Sequence, residues 1–129
     1  MIINDPETLR EVTDAFERYE TALTTNDVAA LDGFFWNDDL AIRYGAAENL
    51  YGYGAIQQFR AARKSGRFTR TFDRLVITTY GKDYATASLH HHPGTAPGKV
   101  GRQMQTWARL PEGWRIVAAH VSTIDDPDV

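Results

Sequence analysis

The chain contains no cysteine. That excludes disulfide staples, thiolate nucleophiles and any cysteine-built zinc centre, and it suits a reducing compartment. No apolar run approaches the ~20 residues of a membrane-spanning helix. The opening stretch MIINDPETLR lacks the basic-then-apolar order of a secretory signal, so a cytoplasmic protein without a membrane partner is expected. Basic blocks are missing too, and a net charge of -3 argues against nucleic acid as a partner. The glycines of GYGAIQQF match no phosphate-cradling motif, no serine stands in a nucleophile elbow, and no close pair of carboxylates stands out. Nucleotide-binding, acyl-enzyme and glycosidase functions therefore lose their support. Three of the 4 histidines are consecutive, at 90 to 92. In a strand only His90 and His92 share a face, no acid stands beside them, and His120 is remote, so neither a metal nor a cofactor is expected.

What is present is globular. The 129 residues, 43% hydrophobic and 24% charged, suffice for one domain spanning residues 1–129 with an ordinary core. Asp5-Pro6-Glu7 reads as an N-cap, a first-turn proline and a dipole-favoured acid, which predicts a helix from about Pro6. Leu9, Val12, Phe16, Tyr19 and Leu23 recur at helical spacing and define its buried stripe. Asn26-Asp27 caps a second short helix ending near Trp36, a strand follows around Ala41 to Tyr44, and after a glycine-bounded loop a third helix is expected from about Tyr53 to Lys64. The second half changes period. RTFDRLVITTYG, DYATASLHHH, GRQMQTWARL and GWRIVAAHVST are β-branched and aromatic runs joined by turn-forming segments, an antiparallel meander. Three helices over a curved sheet make an α+β domain. The connection from Pro93 to Val100 is the one long loop, a candidate rim or lid.

Several polar side chains stand where apolar ones are expected. Arg43 alternates with Ile42 and Tyr44 in a short apolar strand. Either it pairs near solvent, with Glu48 as a local candidate, or it is held by the core and presents a planar fork to a carboxylate. Tyr19 lies on the helical stripe, so it is either a packed ring or a hydroxyl poised to donate to a substrate. His120 lies in a last strand that is apolar on both faces, and is a core residue or part of a site. Opposing Arg109 to Trp114 across PEG places Gln103, Gln105 and Trp107 on the same face as His120. Arg60 and Arg63 on the third helix read as solvated helix-face charges.

Taken together, RYETALTTNDVAALDGFFW, IRYGAAENLYGYGAIQQFRAAR and GRQMQTWARLPEGWRIVAAHVS resemble the AtzH-like, or oxalurate-catabolism HpxZ-like, family. That family belongs to the SnoaL-like, ketosteroid-isomerase-like superfamily, also called nuclear transport factor 2-like. The resemblance runs from about Pro6 to Thr123. It implies a cone-shaped α+β barrel of the cystatin-like kind, a curved antiparallel sheet covered by three N-terminal helices with a pocket between them, and a homodimer. It also implies a metal-free amidohydrolase acting with decarboxylation on a carboxylated urea, as in ureide, oxalurate or s-triazine catabolism. The family's activity-linked tyrosine and arginine fall on Tyr19 and Arg43. His120, Gln103, Gln105 and Arg102 are candidates for orienting a small anionic substrate. The other function class is a non-catalytic pocket protein that serves a separate amidase. The chain departs from the family's pattern at Met104, where a small polar residue is usual, which bears on the polarity of the pocket.

Overall fold

The computed structural model describes residues 1–63, 70–94 and 97–128. Helix α1 spans Pro6–Thr24, α2 Val28–Phe34 and α3 Tyr53–Ala62. The strands are β1 Ile42–Tyr44, β2 Asn49–Tyr51, β3 Arg70–Tyr80, β4 Tyr84–Pro93, β5 Lys99–Leu110 and β6 Gly113–Asp125. The third helix therefore follows the expected start; its expected end at Lys64 and the middle of the 93–100 connection lie outside the described residues.

Both N-terminal helices begin as their caps require. The Asp5 carboxylate accepts from the Thr8 backbone N–H, with Pro6 in the first turn, and the Asp27 side chain accepts from Ala30 N–H. Each cap satisfies a donor that the helix cannot pair internally. Val12, Phe16, Tyr19 and Leu23 of the α1 stripe are buried. With Leu31, Phe35, Ile56, Trp107 and Ile116 they form the core between helices and sheet, each large apolar side chain contributing roughly 1.5–3 kcal/mol.

The six strands form one sheet in the order β2-β1-β6-β5-β4-β3. The sheet is curved but not closed, with β2 and β3 at opposite edges. β3 to β6 form the expected antiparallel meander, whereas β1 lies parallel to β6 and pairs with β2 in a short hairpin. The β2 segment was expected as loop. At three residues, held between β1 and the start of α3, it is too short to show a period of two.

One irregularity decides which face every polar residue occupies. Arg109 opposes Trp114 as expected, but Trp107 opposes Ile116 while Thr106 opposes Ala118. Val117 is thus the extra residue of a β-bulge, and past it the face of β6 inverts relative to β5. Gln105 now opposes Ala119, and Met104 opposes His120. A second bulge between Asp73 and Val76 of β3, with Arg74 at a φ of 54°, lets Arg70 and Thr79 both face the helices.

Candidate functional site

The helix-covered face of the sheet carries a row of paired positions running edge to edge. Leu50 opposes Arg43, Arg43 opposes Ala119, Ala119 opposes Gln105, Gln105 opposes Ala87, and Ala87 opposes Ile77. Ala119, a small buried residue of the core, stands between Arg43 and Gln105 in this row. Arg43 and Gln105 are both buried.

Arg43 is met within the chain by Glu48, the local candidate, but the arginine is buried rather than paired near solvent. Its Nη1 donates to Glu48 Oε1 at 2.8 Å, and the guanidinium lies over the Phe59 ring at 5.4 Å from the centroid. Ala47 N–H donates to the other carboxylate oxygen at 3.2 Å. Gly45 makes room for this arrangement: a Cβ there would stand 1.7 Å from Glu48 Oε1. One prong of the fork is used, which leaves the rest of the guanidinium for a second acceptor.

Tyr19 is 4% exposed, with edge contacts to Phe34, Phe35 and Trp107 at centroid distances of 5.8, 6.4 and 6.3 Å. Trp107 donates to Gln105 Oε1 at 3.0 Å, which fixes the amide beneath the tyrosine. The expected solvated role for Arg60 is corrected. Arg60 is 3% exposed, its Nη2 donates to Tyr19 Oη at 3.0 Å, and its guanidinium lies 5.3 Å from the Phe35 centroid. Arg60 stands four residues after Ile56, so helical periodicity puts it on the buried stripe of α3. Arg63 is exposed as a residue, yet its guanidinium is held below its ordinary range. Partial burial is the main cause, followed by the charges of Arg60 and Arg43, with Tyr19 and Glu48 acting the other way. Arg60, Arg43, Tyr19 and Glu48 thus share one electrostatic neighbourhood around Arg63.

A second cluster lies farther along the same face. Arg70 pairs with Glu20, a largely buried ion pair, and donates from Nη2 to Gln103 Oε1 at 3.3 Å. His91 faces the same way and packs flat on β5, where a Cβ on Gly101 would come within 2.0 Å of its Nε2. Neither His91 nitrogen nor Arg70 Nε has a partner among the described residues. Burial first, then the charges of Arg70 and His92, push the His91 imidazole down to about 4, so it is neutral near pH 7.

Of the other expected substrate contacts, Gln103 and Gln105 reach the covered face but His120 and Arg102 do not. The bulge at Val117 turns His120 outward, where it meets the Tyr44 ring at 6.0 Å. Arg102 donates to Ser122 Oγ on that same exposed face. The expected proximity of Gln103 and Gln105 to His120 is corrected accordingly. Met104 is 60% exposed there as well, so the departure from the family's pattern does not touch this site.

Residues 1–127 match the sequence profile of the AtzH-like family. The chain belongs to the AtzH-like family. No curated protein matches it. A solved structure of a DUF3225-family protein of unknown function from Pectobacterium atrosepticum is 54% identical over 95% of each chain, with a TM-score of 0.91. A cystatin-like fold protein from Burkholderia xenovorans is 44% identical over 98% of this chain and 99% of its own, with a TM-score of 0.94. A nuclear transport factor 2-like protein from Salmonella enterica, 22% identical over 94% of each chain with a TM-score of 0.71, shares the fold alone.

In this AtzH-like chain sequence reasoning put Arg60 among solvated charges and Glu20 off the buried stripe of α1, both corrected by their burial, and gave Arg70 and His91 no role in a site. Three of them sat on a legible period: Arg60 after Ile56, Glu20 after Phe16, and His91 after Ala85, Ala87 and Leu89. A separate groove of about 420 Å³, lined by Glu11, Asp14, Arg18, Phe34, Trp114 and Arg115 among others, lies away from these groups. Its Glu11 is already engaged by Trp114 Nε1 at 3.0 Å and by Arg109 at 2.8 Å, and its Arg18 by Asp14 at 2.9 Å. It is a seam joining α1 to the sheet. No described helix is long and apolar enough to cross a membrane.

Proposed function

We propose that this AtzH-like protein is an amidohydrolase that acts with decarboxylation on a small carboxylated urea. Arg43 holds the substrate carboxylate and Tyr19 supplies a proton. The observation that supports the reading most is the imbalance of charge around one buried hydroxyl. Arg60 donates to the Tyr19 oxygen, and Arg63 lies within electrostatic reach of Arg60, Arg43, Tyr19 and Glu48, the last paired with Arg43. Buried cationic charge in excess of its own counter-charge favours an anionic ligand.

The chemistry suits so small a set of groups. An N-carboxy group loses carbon dioxide when its nitrogen is protonated: the N–C bond breaks, its electron pair stays on nitrogen with the new proton, and carbon dioxide leaves. A positioned acid and an oriented anion suffice for that step, with no resident metal or redox group called upon. Hydrolysis of the amide adds one water. Gln105, fixed by Trp107, offers its amide N–H₂ to a urea carbonyl from the neighbouring strand.

The test is turnover of N-carboxylated ureas by purified protein, with carbon dioxide and ammonia release followed together. Arg43→Lys keeps the charge but not the fork and loses most activity. Tyr19→Phe stays folded and falls by about a hundredfold or more. Near-wild-type rates in both folded variants would remove the assigned roles. Binding without turnover in the wild type would make the protein a carrier for a separate amidase.

A further inference from the structure

We infer that Arg60 is a positioning residue that turns the Tyr19 hydroxyl into a directed proton donor. The inference rests on the role proposed above for Tyr19. It starts from hydrogen-bond bookkeeping. A guanidinium has five N–H donors and no acceptor. In the 3.0 Å contact between Arg60 Nη2 and Tyr19 Oη the tyrosine oxygen therefore accepts, and the Tyr19 hydrogen takes no part. Among the described residues no acceptor meets that hydrogen. It is left pointing away from Arg60, available to a ligand.

Arg60 is itself built to hold this geometry rather than to roam. The residue is 3% exposed, lies over Phe35 at 5.3 Å, and forms no ion pair with any described carboxylate. A buried arginine without a carboxylate is costly. Here the cost is offset by the aromatic face, by the tyrosine oxygen and, when substrate is present, by its negative charge. Accepting a bond from a cation also polarises the O–H, which strengthens it as a donor on its far side. The arrangement orients the hydroxyl: one lone pair accepts from Arg60, and the hydrogen is left to meet an acceptor on the ligand.

A double-mutant cycle separates this role from a structural or purely electrostatic one. The variants are Tyr19→Phe, Arg60→Met, Arg60→Lys and the Tyr19→Phe/Arg60→Met pair, each checked for native circular dichroism. With an N-carboxylated urea as substrate, Arg60→Met lowers kcat by about a hundredfold with KM changed little. Arg60→Lys, which still donates, recovers part of that loss. The double variant is no slower than Tyr19→Phe alone, because Arg60 acts through the hydroxyl. Losses that multiply in the double variant, or a raised KM at unchanged kcat, would overturn the inference and make Arg60 an independent substrate anchor. A second readout needs no turnover: the ζ-carbon NMR shift of Tyr19, assigned by its disappearance in Tyr19→Phe, moves in Arg60→Met without ligand. An unmoved resonance overturns the inference whatever the reaction is. A moved resonance in a protein that turns over none of these substrates supports the positioning and sinks the proposed reaction instead.

Discussion

Acidification should destabilise this protein through His91, and by an amount the structure sets. The ring lies on the covered sheet face against Gly101, is 9% exposed as a residue, has no hydrogen-bond partner among the described residues, and has the Arg70 charge beside it. Burial chiefly, then Arg70 and His92, lower its proton affinity in the folded state from 6.5 to about 4. The unfolded chain, with its ordinary imidazole, takes up a proton first as pH falls, so the unfolded state gains relative to the folded one. The contribution is complete above about pH 6.5, is lost progressively toward pH 4, and changes no further below that. The gap corresponds to about 3 kcal/mol, since each tenfold change in proton affinity is worth ~1.4 kcal/mol. For a chain of this size that is about 10 °C in Tm.

Carboxylates elsewhere also respond to acid, so the measurement must be differential. Urea unfolding of the wild type and of His91→Leu at pH 7 and pH 4.5 isolates the histidine. The wild type should lose about 2 kcal/mol more than the variant over that interval. The His91 ring resonances should show no titration above pH 5. If His91→Leu loses as much stability as the wild type, or if the His91 ring titrates near 6.5, the burial argument for this residue fails.

Three further outcomes test the rest of the architecture. Glu20→Gln leaves Arg70 buried beside His91 with amide partners but no carboxylate and should cost about 3 kcal/mol in urea unfolding, whereas Glu20→Met combined with Arg70→Met should recover most of it; equal stability of the wild type and the single variant would show that the pair is solvated. Gly101→Ala must displace the His91 ring, so a loss of about 1–3 kcal/mol with shifted His91 resonances is expected, and unchanged resonances would contradict the packing. Deleting Val117 removes the bulge and should abolish folded protein, while Val117→Ala stays within about 1 kcal/mol of the wild type; a deletion variant with the wild-type Tm would refute the account of the register.

How much of this was legible in the sequence depends on whether a period was long enough to speak. The caps at Asp5 and Asp27 and the stripe from Val12 to Leu23 named α1 and α2, and the four long β runs gave the meander. The three residues of β2 could not. Tyr19 and Arg43 were found because each is a polar residue on a clearly apolar period. Arg60 lay on an equally buried stripe, but α3 is short, with glutamines and a second arginine around it, and a charged residue four places from a single isoleucine looks like surface. His91 was hidden by its neighbours: His90 and His92 share the other face and stand out as a pair, while the single histidine between them carries no such mark. His120 was misplaced for a different reason. The β6 strand is apolar on both sides, so its pattern carries no mark of the extra residue that inverts its face.

That extra residue is what allows core and site to share one strand. Trp107 and Gln105 lie two apart on β5 and therefore face the same way, Trp107 into the core and Gln105 toward Arg43. On β6 their opposite numbers are Ile116 and Ala119, an odd number of residues apart, which a regular strand would put on opposite faces. Without a bulge, satisfying the core with Ile116 would place Ala118 opposite Gln105 and turn Ala119 outward; satisfying the row with Ala119 would expel Ile116 from beneath Trp107. Inserting Val117 resolves the parity. Without the insertion His120 would oppose Gln103 on the covered face; with it, His120 is sent out to Tyr44. Which β6 side chain stands between Arg43 and Gln105 is therefore a consequence of strand geometry, set on β6 rather than on the helices that supply Tyr19 and Arg60.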